Sequence, residues 1–113
     1  MRPLKAGLCL VLAFSASAVL SAGQIYGTIV MDGQPLKDTD IEIKCGEEGP
    51  SKGKTAADGA YRINVPQQGQ CSLTLPTYMG KPSAMVFSTP NPSLYNFQLV
   101  KVAEGKFELR RRQ

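Results

Sequence analysis

Lys54-Thr55-Ala56-Ala57-Asp58-Gly59-Ala60-Tyr61-Arg62-Ile63-Asn64-Val65 is the stretch whose reading decides the fold. Asp58-Gly59 is a short-range hairpin signal. A two-residue type I′ turn needs positive φ at both positions, which Asp tolerates and Gly adopts freely. After the turn, Tyr61, Ile63 and Val65 alternate with Arg62 and Asn64. A period of two places the apolar residues on one face of a strand and the polar ones on the other. Lys54 to Ala57 is then expected as the first arm of the hairpin.

Working outward, the neighbouring segments repeat this grammar. Gln24 to Met31 is rich in β-formers and holds Gly27 in its middle, which marks a bulge or a close approach by another backbone. Asp32-Gly33 is a second turn signal. Thr39 to Cys45 places Ile41, Ile43 and Cys45 on one face, with Asp40, Glu42 and Lys44 on the other. Gly46 to Gly53 reads as a polar loop. Cys71 to Leu75 puts Cys71, Leu73 and Leu75 inward. Ala84 to Ser88 is a short apolar strand, Thr89 to Ser93 a rigid Pro-containing connection, and Tyr95 to Val102 a long strand. Phe107 and Leu109 supply a short final one. No segment after residue 23 carries a sustained helical repeat, and short strands recur with Gly or Pro between them. That is the spacing of an all-β sandwich, here of six to eight strands.

The first residues are a different kind of sequence. Arg2 and Lys5 precede the uncharged apolar run Leu8 to Phe14, and small residues follow, including Ala16-Ser17-Ala18. This is the pattern of a secretory signal peptide over 1–23, with a cut after Ala18, Ala22 or Gly23. The apolar run from Ala6 to Leu20 is shorter than the roughly 18 residues of a membrane span, so no transmembrane segment is expected in the mature chain. Cys9 falls in the discarded part. The remaining Cys45 and Cys71 form an even pair in an exported small domain, and both share faces with core residues, which points to a disulfide. Two free thiols are the alternative; a zinc site lacks ligands in a chain without His.

The chain has 113 residues, 13 basic and 9 acidic, for a net charge of +4. Without Arg2 and Lys5 the balance is 11 against 9, and three of the 11 are Arg110, Arg111 and Arg112. That charge and the few aromatics argue against a nucleic-acid partner. Residues 103–113 read as a short C-terminal strand and a basic tail, with the arginine run as its solvated end.

Gly27-Thr28-Ile29-Val30, Asp32-Gly33-Gln34-Pro35-Leu36, Ile41-Glu42-Ile43, Thr55-Ala56-Ala57-Asp58-Gly59-Ala60-Tyr61 and Gly69 together resemble the carboxypeptidase regulatory-like domains. These are prealbumin-like (transthyretin-like) sandwiches. The resemblance covers most of Gln24 to Leu99 and implies one seven-stranded Greek-key β-sandwich over 24–102. The residues that carry it, Gly27, Asp58, Gly59 and Tyr61 among them, are turn and core positions. Related sandwiches are appended modules of peptidases, adhesins and outer-membrane receptors, or bind glycans.

The absence of His excludes a His-based triad, a His general base and the histidine-dependent hydroxyisourate hydrolases and iron dioxygenases of similar folds. The chain ends Leu109-Arg110-Arg111-Arg112-Gln113, without the Tyr-Arg-Gly-Ser ending of those hydrolases. Collagen-adhesin repeats of similar fold join a first-strand Lys to a last-strand Asn. Asn96 can stand in the last strand, but Gln24 to Met31 holds no Lys. The expectation is therefore an exported, secreted or periplasmic, non-catalytic module with no cofactor and no metal. Its expected partner is a glycan or an envelope protein. Tyr26, on the polar face of its strand, and Tyr78, in a loop, are the candidate ligand contacts. A small hydrolase using Glu47 and Glu48 is the enzymatic alternative.

Overall fold

The computed structural model describes residues 23–112. They form ten strands: β1 (Gly23–Met31), β2 (Gln34–Pro35), β3 (Asp40–Lys44), β4 (Ser51–Lys54), β5 (Ala60–Val65), β6 (Gly69–Thr74), β7 (Ser83–Ser88), β8 (Ser93–Leu94), β9 (Asn96–Ala103) and β10 (Lys106–Arg112). The expected leader, with its cut after Ala18, Ala22 or Gly23, lies outside the described residues except for Gly23, which is buried and opens β1. No helix among the described residues is long and apolar enough to cross a membrane.

The strands make two sheets. The larger runs β10-β9-β1-β2, with β5 and β8 also paired to β1; the smaller runs β4-β3-β6-β7. Alternation along each strand buries one face. Ile25, Ile29, Tyr61, Ile63, Val65, Phe97 and Leu99 come from the larger sheet, and Ile41, Ile43, Leu73 and Val86 from the smaller. The two inner faces close one core, as a sandwich requires.

Strand β1 organises the larger sheet because it is long enough to serve four neighbours. Its first residues pair antiparallel with β5, from Gly23↔Val65 to Thr28↔Ala60. Its last two pair with β2. On the opposite edge it runs parallel to β8 and then to β9.

The disulfide is present. Cys45 and Cys71 are bonded, with their Cα atoms 4.2 Å apart. Ile43 pairs with Leu73 and Lys44 with Ser72, so the next step in register sets Cys45 opposite Cys71. The bridge therefore ties β3 to β6 within the smaller sheet.

Several expectations are corrected. Ten strands stand where seven were implied. Two of the extra ones, β2 and β8, are two-residue segments that complete the flanks of β1. The third, β4, takes Ser51–Lys54, so strand replaces the end of the loop expected over 46–53, while of the arm expected over 54–57 only Lys54 is strand. The polar β4 sequence is held in strand form by its pairing with β3 and not by local preference. Asp58-Gly59 is not a type I′ hairpin. Gly59 has φ 83°, but Asp58 is absent from the positive-φ residues. The arms on either side belong to different sheets, so there is no two-strand ladder for such a turn to close. The Gly59 N–H instead donates to the Ala56 carbonyl at 2.9 Å, and the Asp58 carboxylate accepts from the Ala60 N–H at 3.0 Å. The turn is a corner that carries the chain from one sheet to the other. The two-residue turn with positive φ at both positions is at Asp32 (54°) and Gly33 (76°), between β1 and β2.

The arginine run is exposed but is not a free tail. Arg110, Arg111 and Arg112 pair with Gln98, Phe97 and Asn96 as the last part of β10. The strand expected around Phe107 and Leu109 extends to seven residues, because β9 is long enough to template it.

Candidate functional site

The candidate site lies where β8 hands over to β9. The two strands are one line of chain interrupted at Tyr95. Gly27 faces that interruption: a Cβ added there would come within 1.9 Å of the Tyr95 carbonyl oxygen. The close approach expected at Gly27 is therefore made by Tyr95, and only a residue without a side chain permits it.

The interruption redirects the local hydrogen bonds. The Tyr95 N–H donates to the Tyr26 carbonyl at 2.8 Å. The Tyr95 carbonyl accepts from the Tyr61 hydroxyl at 2.6 Å. The Thr28 N–H then takes the Asn96 side chain, at 2.9 Å from Oδ1, and the Thr28 hydroxyl donates to the same oxygen at 3.2 Å. A backbone N–H can only donate, so the atom it meets is the amide oxygen. The Asn96 amide is thereby fixed with Oδ1 toward β1 and Nδ2 turned away from it.

Beside Asn96 a cleft of about 210 Å³ opens, lined by Leu94, Asn96, Arg111 and Arg112. Arg112 stands directly across from Asn96 in the β9–β10 ladder. Arg111 alternates to the other face, and its guanidinium lies 4.6 Å from the centre of the Tyr95 ring, a cation–π contact. Among the described residues neither guanidinium has a carboxylate within ion-pair distance. Arg110 differs: Glu108 accepts from its Nη2 at 2.9 Å. Leu94 is half exposed and forms the apolar wall.

Next to the cleft, Tyr26 pairs with Leu94 across β1 and β8. Arg62 covers its ring at 5.4 Å and donates to Gln24 Oε1 at 2.7 Å; Gln24 Nε2 in turn donates to Asn64 at 3.1 Å. All four arginines of the described residues thus lie in the larger sheet.

The remaining candidates lie apart from this place. Tyr78 packs against the edge of the core, its ring 5.4 Å from Phe107 in an edge-to-face contact. Tyr26 and Tyr78 therefore do not share one platform. Glu47 and Glu48 are exposed in the loop between β3 and β4. Among the described residues no group of three or more His, Cys, Asp or Glu side chains is placed to hold a metal. A second cleft, of about 190 Å³, is lined by Asp40, Ile41, Glu42, Lys52, Gly53 and Pro76. Its charges largely answer one another: Glu42 faces Lys52 in register, and Lys54 reaches Asp38 and Asp40 at 3.8 Å.

Sequence reasoning missed Leu94, Asn96 and the arginines as a group. They are brought together by a parallel pairing and a hairpin, neither of which has a local signature. The usable signal was Gly27 within a strand, which announced that some other backbone would press there.

The fold defines a two-sheet, all-β sandwich. A crystal structure of a DUF3823 family protein from Parabacteroides merdae is similar to it, with a TM-score of 0.54 and 14% sequence identity. The similarity covers 80% of this chain and 47% of that one, so the chain spans about half the length of its structural neighbour. No protein-family model and no curated protein matches the chain.

Proposed function

We propose that the chain is an exported, non-catalytic β-sandwich module of the carboxypeptidase regulatory-like kind, and that it acts in the cell envelope by binding. The leader-like residues 1–23 and the Cys45–Cys71 bond support export. The prealbumin-like Greek key implied by the sequence accords with a chain that repeatedly changes sheets.

The observation that carries binding is the cleft of Leu94, Asn96, Arg111 and Arg112. Its arginines are donors only and the Asn96 amide oxygen is already taken by Thr28, and these residues stand on paired strands instead of a loop. Donors fixed before a ligand arrives lose little freedom on binding, which favours recognition. Glu47 and Glu48 lend no comparable support to a hydrolase, because each is a solvated loop carboxylate.

The test is a glycan array and an envelope-extract pull-down with the mature protein and its Arg112→Ala variant. Retention by the native protein and its loss in the variant supports the reading. Equal retention by both, or turnover of ester, glycoside or peptide substrates that disappears in Glu47→Ala or Glu48→Ala, overturns it.

A further inference from the structure

We infer that the cleft beside Asn96 takes an acidic sugar unit, its carboxylate held by Arg112 and a ring hydroxyl held by the Asn96 amide. This rests on the reading of the chain as a binding module and names its ligand class.

The chemistry of the lining points there step by step. Arg112, across the ladder from Asn96, presents a planar donor fork with no carboxylate partner among the described residues, and such a fork matches a carboxylate in two parallel hydrogen bonds. Asn96 adds a neutral donor whose direction is set, because Thr28 holds its oxygen from two sides. Cationic and neutral donors side by side suit a group that carries both a charge and hydroxyls. Leu94 supplies an apolar wall for the C–H face of a ring. The cleft, at about 210 Å³, is smaller than the roughly 300 Å³ at which pockets for drug-sized ligands begin. It admits one ring, not a multi-ring cofactor.

Other anionic partners fit less well. Single-stranded nucleic acid stacks its bases on free aromatic faces, and Tyr26 is already covered by Arg62. A lipid surface needs a wide apolar rim, whereas Leu94 is the one exposed apolar residue lining this cleft. An acidic peptide added as a strand would use the free edge of β10, but that strand runs close to β7 of the other sheet.

The experiment is a titration followed by amide chemical shifts, with isotopically labelled mature protein. The probes are tetragalacturonate, the uncharged galactose tetramer and sodium phosphate of equal ionic strength. The expected result is saturable shifts at Leu94, Asn96, Arg111 and Arg112 with tetragalacturonate alone. Arg112→Ala is expected to weaken binding about tenfold or more, and Arg112→Lys to restore it only in part, since Lys keeps the charge and lacks the fork. Arg112 ends its strand and is exposed, so these variants keep the fold. Comparable binding of the uncharged tetramer at the cleft overturns the acidic-ligand inference and leaves the binding module standing. Equal shifts with phosphate mean an adventitious ion only and overturn it too. No shift with tetragalacturonate also overturns it, and a glycan array that is blank as well removes the binding module.

Discussion

The hydroxyl of Tyr61 donates to the carbonyl oxygen of Tyr95 at 2.6 Å, inside the core. This pair joins the corner at Asp58-Gly59 to the interruption between β8 and β9. Tyr95 also reaches the other sheet, because its own hydroxyl accepts from the Phe87 N–H of β7 at 3.0 Å. One residue thus receives a bond from β5, gives one to β1 and receives one from β7. The cleft depends on this knot, since Tyr95 supports the Arg111 guanidinium and sets the place of Asn96.

Tyr61→Phe keeps the ring and removes the donor. The Tyr95 carbonyl then loses its hydroxyl partner in a buried place. A buried polar group left unmatched costs about 1–3 kcal/mol. The expected outcome is a loss of that size in urea unfolding with an unchanged dependence on denaturant. A change below about 0.3 kcal/mol, smaller than the additivity error between distant sites, would show that the bond contributes little.

The same hydroxyl gives a pH dependence. Burial, and after it the neighbouring Tyr95, push the Tyr61 phenol well above its ordinary value of 10.0. The unfolded chain ionises there near pH 10, while the folded chain keeps its proton. Above that pH the unfolded state binds fewer protons, so stability falls as pH rises. The contribution is whole below about pH 10 and declines beyond it by up to about 1.4 kcal/mol per pH unit. Urea midpoints taken from about pH 9 to about pH 11 should fall more steeply for the native protein than for Tyr61→Phe. Parallel slopes would contradict this.

Gly27→Ala tests the close approach directly. The added Cβ would lie 1.9 Å from the Tyr95 oxygen and 2.6 Å from its carbonyl carbon, both backbone atoms. Backbone cannot rotate aside as a side-chain tip can, so β1 and the Tyr95 segment must separate. Overpacking costs about 1–3 kcal/mol and occasionally more, and this site is expected at or above the upper end. The check is thermal unfolding, with amide shifts at Thr28 and Asn96 reporting whether their hydrogen bonds break.

What was legible in the sequence follows from the range of each signal. Side-chain parity is local, and it correctly placed Tyr61, Ile63 and Val65 inside, as it did Cys45 and Cys71. Turn dipeptides are local as well, but they do not say which strands a turn joins. Asp32-Gly33 and Asp58-Gly59 look alike in sequence; one closes a hairpin and the other changes sheets. The strand status of Ser51–Lys54 and of the arginines comes from partners far along the chain, and so does the cleft. Periodicity does not reach that far.

Ser88 offers a reverse test. Its hydroxyl is buried and, among the described residues, has no hydrogen-bond partner. Removing an unmatched buried polar atom should cost nothing and can help. Ser88→Ala is expected to leave the melting temperature unchanged or to raise it, with a gain of up to about 1 kcal/mol. A clear loss of stability would contradict this.

The Cys45–Cys71 bond closes a loop with a sequence separation of 26, and the contents of that loop give it a second effect. Between the cysteines the chain runs through β4 in the smaller sheet, turns at Asp58-Gly59, and passes through β5 in the larger one. The link therefore constrains a segment that must visit both sheets. In the chain-entropy account, closing a loop of this length removes unfolded-state freedom amounting to about 3.5 kcal/mol. The Cys45→Ser, Cys71→Ser double variant is expected to lose stability of that order. Both sulfurs belong to the buried core, with their residues 5% and 3% exposed, so a reductant must wait for the sandwich to open. Unreduced native protein should therefore show no reactive thiol at these positions. Its reduction by a small thiol should accelerate in step with urea, because the rate follows the open fraction. Reduction at a rate indifferent to urea would place the bond on the surface instead of in the core.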